Sequence, residues 1–88
     1  MIEIEFSGKF LREFKKLPDD LQEESHLKIG IFQKGKNTQE LKIHKLNHPK
    51  RVLWSFSVTY KHRIVYEKVS STNVKFVTIG DHDIYKNL

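Results

Sequence analysis

The stretch Trp54-Ser55-Phe56-Ser57-Val58-Thr59-Tyr60 alternates large apolar side chains with hydroxylated ones at every step, the period-two pattern of a β-strand. One face of that strand is aromatic and the other carries hydroxyls. Lys61 and His62 form a tight connection into a second run, Arg63 to Val69. Ser70 to Asn73 then supplies turn chemistry before a third, Val74 to Ile79. Three strands joined by short links predict an antiparallel meander, and the tail Gly80 to Leu88 leaves it bearing Asp81, His82, Asp83 and Tyr85.

Upstream, Ile2, Ile4 and Phe6 alternate with Glu3 and Glu5, which predicts a short opening strand with one buried face. Ser7 is placed to cap a helix in which Phe10, Leu11, Phe14 and Leu17 form one apolar stripe opposite Lys9, Arg12, Lys15 and Lys16. Pro18 ends it. Asp19 and Asp20 suit the first turn of a second helix that reaches the C-capping Gly35. Within that helix Leu27, Ile29 and Ile31 alternate and Gly30 is unfavourable, so length and capping are the grounds for helix over strand. Residues Lys36 to Val52 read as a polar, basic surface loop that opens with a short strand at Leu41 to Ile43. The expectation is an α+β fold: an N-terminal strand, then a two-helix hairpin packed on one face of an antiparallel sheet that ends in the three-strand meander. The other face is expected to stay open for a ligand.

The chain has 88 residues, enough for one domain, 1–88, with no internal repeat or linker to divide it. Sixteen Lys and Arg against eleven Asp and Glu give a net charge of +5, which favours polyanionic partners. The absence of cysteine removes disulfides, thiolate metal sites and thiol nucleophiles, and fits a reducing, cytoplasmic setting. The N-terminus lacks the pattern of a secretion signal, and no apolar run approaches a membrane span.

Three residues form the leading chemical constellation. In an antiparallel pair the start of one strand lies beside the end of its neighbour, so Arg63 and His82 are expected to converge, with Tyr85 three residues on. Such a set suits RNA cleavage by its own 2′-hydroxyl, in which Arg63 clamps the phosphorane and His82 gives or takes a proton. That scheme calls for no metal and no cofactor. The same residues also read as a strand-edge charge, a capped loop histidine and an apolar anchor. The basic loop His44 to Arg51, with Lys61 and His62 at the nearby turn, offers cations for an RNA backbone or simply a solvated surface. Trp54 beside it reads as core more than as a base-stacking platform. His44 and His48 have metal-like spacing, but Pro49 argues against a shared helix face, and Asp81-His82-Asp83 has no long helices to supply further ligands. Gly-rich phosphate loops and nucleophile elbows are absent.

Residues Trp54 to Glu67, with His44-Lys45-Leu46 before them and Ile79-Gly80-Asp81-His82-Asp83-Ile84-Tyr85 after, resemble the RelE/ParE toxin superfamily of bacterial type II toxin-antitoxin systems, nearest its YafQ and YoeB branches. The resemblance spans nearly the whole chain, including the helix pair around Leu17-Pro18-Asp19-Asp20-Leu21. It implies a small α+β toxin that enters the ribosomal A site, cuts mRNA there, and is held inactive by a cognate antitoxin wrapped around it. By position it implies Arg63 as the phosphate-binding arginine, His82 as the C-terminal proton-transfer histidine, Tyr85 as the aromatic that orients the nucleotide, and His44 as a second proton carrier. Lys45, Lys50, Arg51, Lys61 and His62 would grip RNA. Two departures leave the general base open: Glu40 is the nearest counterpart of the YoeB-type glutamate, and His62 stands where YafQ-like members place an aspartate. ParE-like members share the fold and poison DNA gyrase, so a gyrase inhibitor and a non-toxic nucleic-acid-binding module are the alternative functions.

Overall fold

The computed structural model describes residues 1–35 and 38–88. Lys36 and Asn37, which open the expected loop, lie outside the described residues. In chain order the elements are β1 (Glu3–Phe6), α1 (Gly8–Lys15), α2 (Asp19–Lys34), a 3-10 turn (Thr38–Leu41), β2 (His44–Lys45), β3 (Leu53–Ser57), β4 (Arg63–Lys68), β5 (Asn73–Gly80) and a C-terminal 3-10 helix (His82–Asn87). The sheet runs β1-β5-β4-β3-β2, with β1 parallel to β5 and the other neighbours antiparallel. This is the α+β architecture the sequence predicts, with the meander at its centre.

Ser7 performs two tasks at the first junction. Its hydroxyl oxygen accepts from Phe10 N at 3.0 Å, capping α1, and its proton goes to Val77 O at 2.8 Å, where β5 carries one extra residue relative to β4. At the helix corner the Gln22 side-chain amide donates to Phe14 O (3.2 Å), which also accepts from Leu17 N (3.1 Å), and to Leu17 O (3.1 Å), tying the end of α1 to the start of α2. α2 closes on Gly35, whose φ of 71° is the left-handed conformation glycine adopts without strain. The helix is confirmed, and the misleading alternation has a simple reason. Its inward side carries Ser25, Ile29 and Phe32, at i, i+4 and i+7, while Leu27 is 63% exposed.

The core between helices and sheet is aromatic. Phe32 stacks on Phe56 with ring centroids 4.8 Å apart and meets Tyr66 edge-on at 4.8 Å, while Phe10 and Phe76 close the α1 side at 5.5 Å. Burial and offset ring geometry together make this cluster the main stabilising element.

Four expectations are corrected. The second sheet face is not open: Leu53 and Val65 on it are buried under Ile84 of the C-terminal 3-10 helix, with Leu46, Val77, Tyr85 and Leu88 packed around them. A strand face that carries Leu53 and Val65 has apolar area to hide, and the tail hides it. The aromatic strand stops at Ser57 rather than Tyr60, because the hydroxyl of Thr59 accepts from Lys61 N (3.3 Å) and His62 N (3.1 Å) and folds the chain into a turn. The strand expected at Leu41 to Ile43 lies instead at His44–Lys45, and Leu41 ends a 3-10 turn fully buried in the core. β1 is a sheet edge, its inward Ile2 and Ile4 only half-buried and Phe6 46% exposed.

Candidate active site

β3 and β4 pair so that Ser57 stands opposite Arg63, and β4 and β5 pair so that Arg63 stands opposite Gly80. The start of β4 is thereby fixed between the end of β3 and the end of β5. Two residues past Gly80, His82 begins the C-terminal 3-10 helix, which Asp81 caps by accepting from Asp83 N at 3.0 Å. Arg63 and His82 consequently line one hollow of about 380 Å3, together with Lys28, Glu40, Lys42, Ser57 and the turn Val58-Thr59-Tyr60.

The guanidinium of Arg63 is held by a short hydrogen bond from Nη1 to the hydroxyl of Ser57. Among the described residues no carboxylate lies within ion-pair distance of Arg63 or Lys42. Lys28 differs: its ammonium sits 3.2 Å from Glu24 and 3.7 Å from Glu40, tying α2 to the 3-10 turn and setting the Glu40 carboxylate at the hollow. Lys42 enters from a backbone with φ of 50°, a conformation most side chains avoid. An oriented guanidinium, a further cation, a carboxylate and an imidazole therefore share one cavity. That set can bind a phosphodiester and exchange protons with it.

The other expected site residues are distributed elsewhere. His44 is exposed on β2, its Nδ1 3.3 Å from Lys42 O and its Nε2 3.5 Å from the hydroxyl of Ser55, two residues along β3 from Ser57. It is close to the hollow without lining it. Tyr85 lines a separate hollow of about 400 Å3 with Leu46, His48, Pro49, Leu53 and Leu88, its ring centroid 6.5 Å from that of His82. Arg51 forms a two-pronged pair with Glu67, Nε to Oε2 at 3.1 Å and Nη2 to Oε1 at 3.2 Å, and this bond holds the Glu67 carboxyl below its ordinary range. Lys45 and Lys50 are exposed. So is Lys61, at the β3–β4 turn. His62 pins that turn: its Nδ1 lies 3.1 Å from the Thr59 hydroxyl, which already accepts two backbone N–H groups and so donates its own proton to the ring. Trp54 is half-buried against the core, with Lys68 Nζ 4.3 Å from its ring centroid. Among the described residues, no group of three or more His, Asp or Glu side chains is placed to hold a metal ion.

Sequence reasoning missed Lys28, Lys42 and Ser57. Ser57 was visible as one of the hydroxyls alternating with the aromatic residues, but only the register shows that it faces an arginine. Lys42 and Lys28 carried no signal, since a lysine in a loop and another on a helix are the commonest of surface residues.

No family model and no curated protein matches the sequence. Solved structures do match the fold. A metal-bound toxin from Helicobacter pylori superposes with a TM-score of 0.73 at 20% identity, covering 96% of this chain and 98% of that one. The toxin in the RelB-RelE antitoxin-toxin complex from Methanococcus jannaschii gives 0.71 at 19% identity, over 96% and 98%. YafQ from E. coli strain BL21(DE3) gives 0.69 at 20% identity, over 97% and 98%. This is the RelE toxin fold. The matched region takes in 96 to 97% of the chain, so the likeness of fold extends over nearly its whole length. No helix among the described residues is long and apolar enough to cross a membrane.

Proposed function

We propose that this protein is the toxin of a type II toxin-antitoxin pair and that it arrests translation by cutting mRNA on the ribosome. The observation that carries the reading is the shared hollow of Arg63, His82 and Glu40, set in a RelE fold. In this reading the RNA supplies its own nucleophile. The Glu40 carboxylate takes the proton of a 2′-hydroxyl, the oxygen bonds to the adjacent phosphorus, and negative charge builds on the phosphorane oxygens. Arg63, already aimed by Ser57, meets that charge with two N–H donors, and Lys42 adds a second cation. The bond from phosphorus to the 5′ oxygen breaks, His82 protonates that oxygen, and the products are a 2′,3′-cyclic phosphate and a 5′-hydroxyl.

Lys45, Lys50 and Lys61, exposed on β2 and two loops, provide backbone contacts, whereas Arg51 is engaged by Glu67 and His62 by its own turn. Tyr85 and His44 flank the hollow and would orient the strand rather than react with it. A cognate antitoxin is the expected protein partner, since similar folds were solved as RelB-RelE and DinJ-YafQ complexes. The setting is the cytoplasm, where ribosomes and mRNA meet.

Induction in a bacterial host followed by transcript-end mapping tests the reading. Wild type is expected to arrest growth and leave new mRNA ends. Arg63→Ala is expected to lose about 2 to 4 kcal/mol of transition-state stabilisation, roughly thirty- to thousandfold in rate. A His82→Ala variant that cuts as well as wild type removes the proton-transfer role, and DNA damage with intact mRNA selects gyrase poisoning instead.

A further inference from the structure

Tyr60 is 90% exposed, the most exposed large aromatic side chain among the described residues. It does not sit on a loose segment. Val58 N donates to His62 O at 2.9 Å and Thr59 N to the same oxygen at 3.2 Å, and the Thr59 hydroxyl accepts from the next two backbone amides beyond Tyr60. The β3–β4 turn thus holds an aromatic ring in water at fixed backbone geometry. Two residues before Tyr60, Val58 is 1% exposed and anchors the turn in the core. Tyr60 also lines the hollow that contains Arg63 and His82, with Lys61 next to it in sequence.

We infer that Tyr60 is a stacking platform for an unpaired nucleobase of a single-stranded RNA whose backbone passes through the Arg63 hollow. The inference deepens the proposed function and rests on it for the identity of the polymer. Three observations converge on RNA as the occupant. A π-face left in water beside Arg63 and Lys42, two cations with no carboxylate partner among the described residues, matches a ligand that alternates flat rings with phosphates. The turn is fixed before binding, so little ordering entropy opposes stacking. Tyr60 is left in water by the fold, whereas Trp54, Phe56 and Val58 of the same alternating run all serve the core.

The probe is a labelled single-stranded 2′-O-methyl oligoribonucleotide, which cannot be cut by 2′-hydroxyl attack, so its binding is read without catalysis. Tyr60→Ala is expected to weaken binding about five- to hundredfold with an unchanged dependence on salt, and Tyr60→Phe to stay within about twofold of wild type. An abasic residue walked along the strand is expected to weaken wild type at one position and to leave Tyr60→Ala unaffected there. Tyr60→Ala binding as tightly as wild type, Tyr60→Phe falling as far as Tyr60→Ala, or no binding by wild type would each overturn the inference. The two readings fail separately. Loss of binding in Tyr60→Ala without mRNA cleavage by wild type keeps the platform and removes the nuclease; cleavage by wild type with normal binding by Tyr60→Ala does the reverse.

Discussion

Gly80 and Ile84 approach so closely that a methyl group built on Gly80 would lie 2.6 Å from Cγ2 of Ile84. Gly80 pairs with Arg63 across the sheet, and Ile84 is buried against Leu53 and Val65, so this contact sets where His82, lying between them, can stand.

Gly80→Ala is therefore expected to lift the C-terminal 3-10 helix off the sheet, costing about 1 to 3 kcal/mol of stability and moving His82 away from Arg63. Urea denaturation and limited proteolysis of the tail are the measurements. Adding Ile84→Ala removes the obstructing carbon, so the double variant should be less destabilised than the sum of the single ones. Full additivity would show that the contact does not exist.

Lys42 occupies a backbone conformation that suits glycine, with φ of 50°. Lys42→Gly should leave stability unchanged or raise it by up to about 1 kcal/mol. RNA binding should weaken at the same time, and the slope of log affinity against log salt should become shallower by about one phosphate contact, roughly 0.7 for a single strand. Urea midpoints and a salt titration read the two effects independently. Weaker binding accompanied by an equal loss of stability would mean that Lys42 matters to the fold instead.

Tyr66 lies in the aromatic core, and burial pushes its phenol up to about 12. The unfolded chain gives up this proton near pH ~10 while the folded chain keeps it. Stability from this group is thus fully present below pH ~10 and declines as pH climbs toward the folded value. Comparison of urea midpoints with Tyr66→Phe isolates it from the lysines that titrate nearby, and the wild-type midpoint should fall relative to that of Tyr66→Phe across this window. A constant difference would refute the burial argument.

The sequence makes the sheet legible because its strands alternate and its turns are rich in polar residues, and it makes α1 legible because Ser7, the apolar stripe and Pro18 agree. It misleads where one signal answers to two causes. The run from Trp54 to Tyr60 alternates throughout, yet its last residues obey Thr59, whose hydroxyl bends the backbone before the alternation ends. The tail reads as polar because Asp81, His82 and Asp83 precede Ile84, and nothing local shows that Ile84, Tyr85 and Leu88 would roof the second sheet face. For the site, antiparallel geometry suffices to bring Arg63 toward His82. Placing Glu40, Lys28 and Lys42 there depends on how the 3-10 turn packs on α2, a tertiary fact with no sequence period.

β1 lies parallel to β5, and the hydroxyl of Ser7 reaches a carbonyl seventy positions later, at Val77. β1 and α1 have no platform until β5 emerges from the ribosome. A nascent or prematurely ended polypeptide lacks β5, and with it both the partner of β1 and the support of Arg63. Under the proposed function, the molecule becomes harmful to translation only after its own ribosome has released β5 to the sheet.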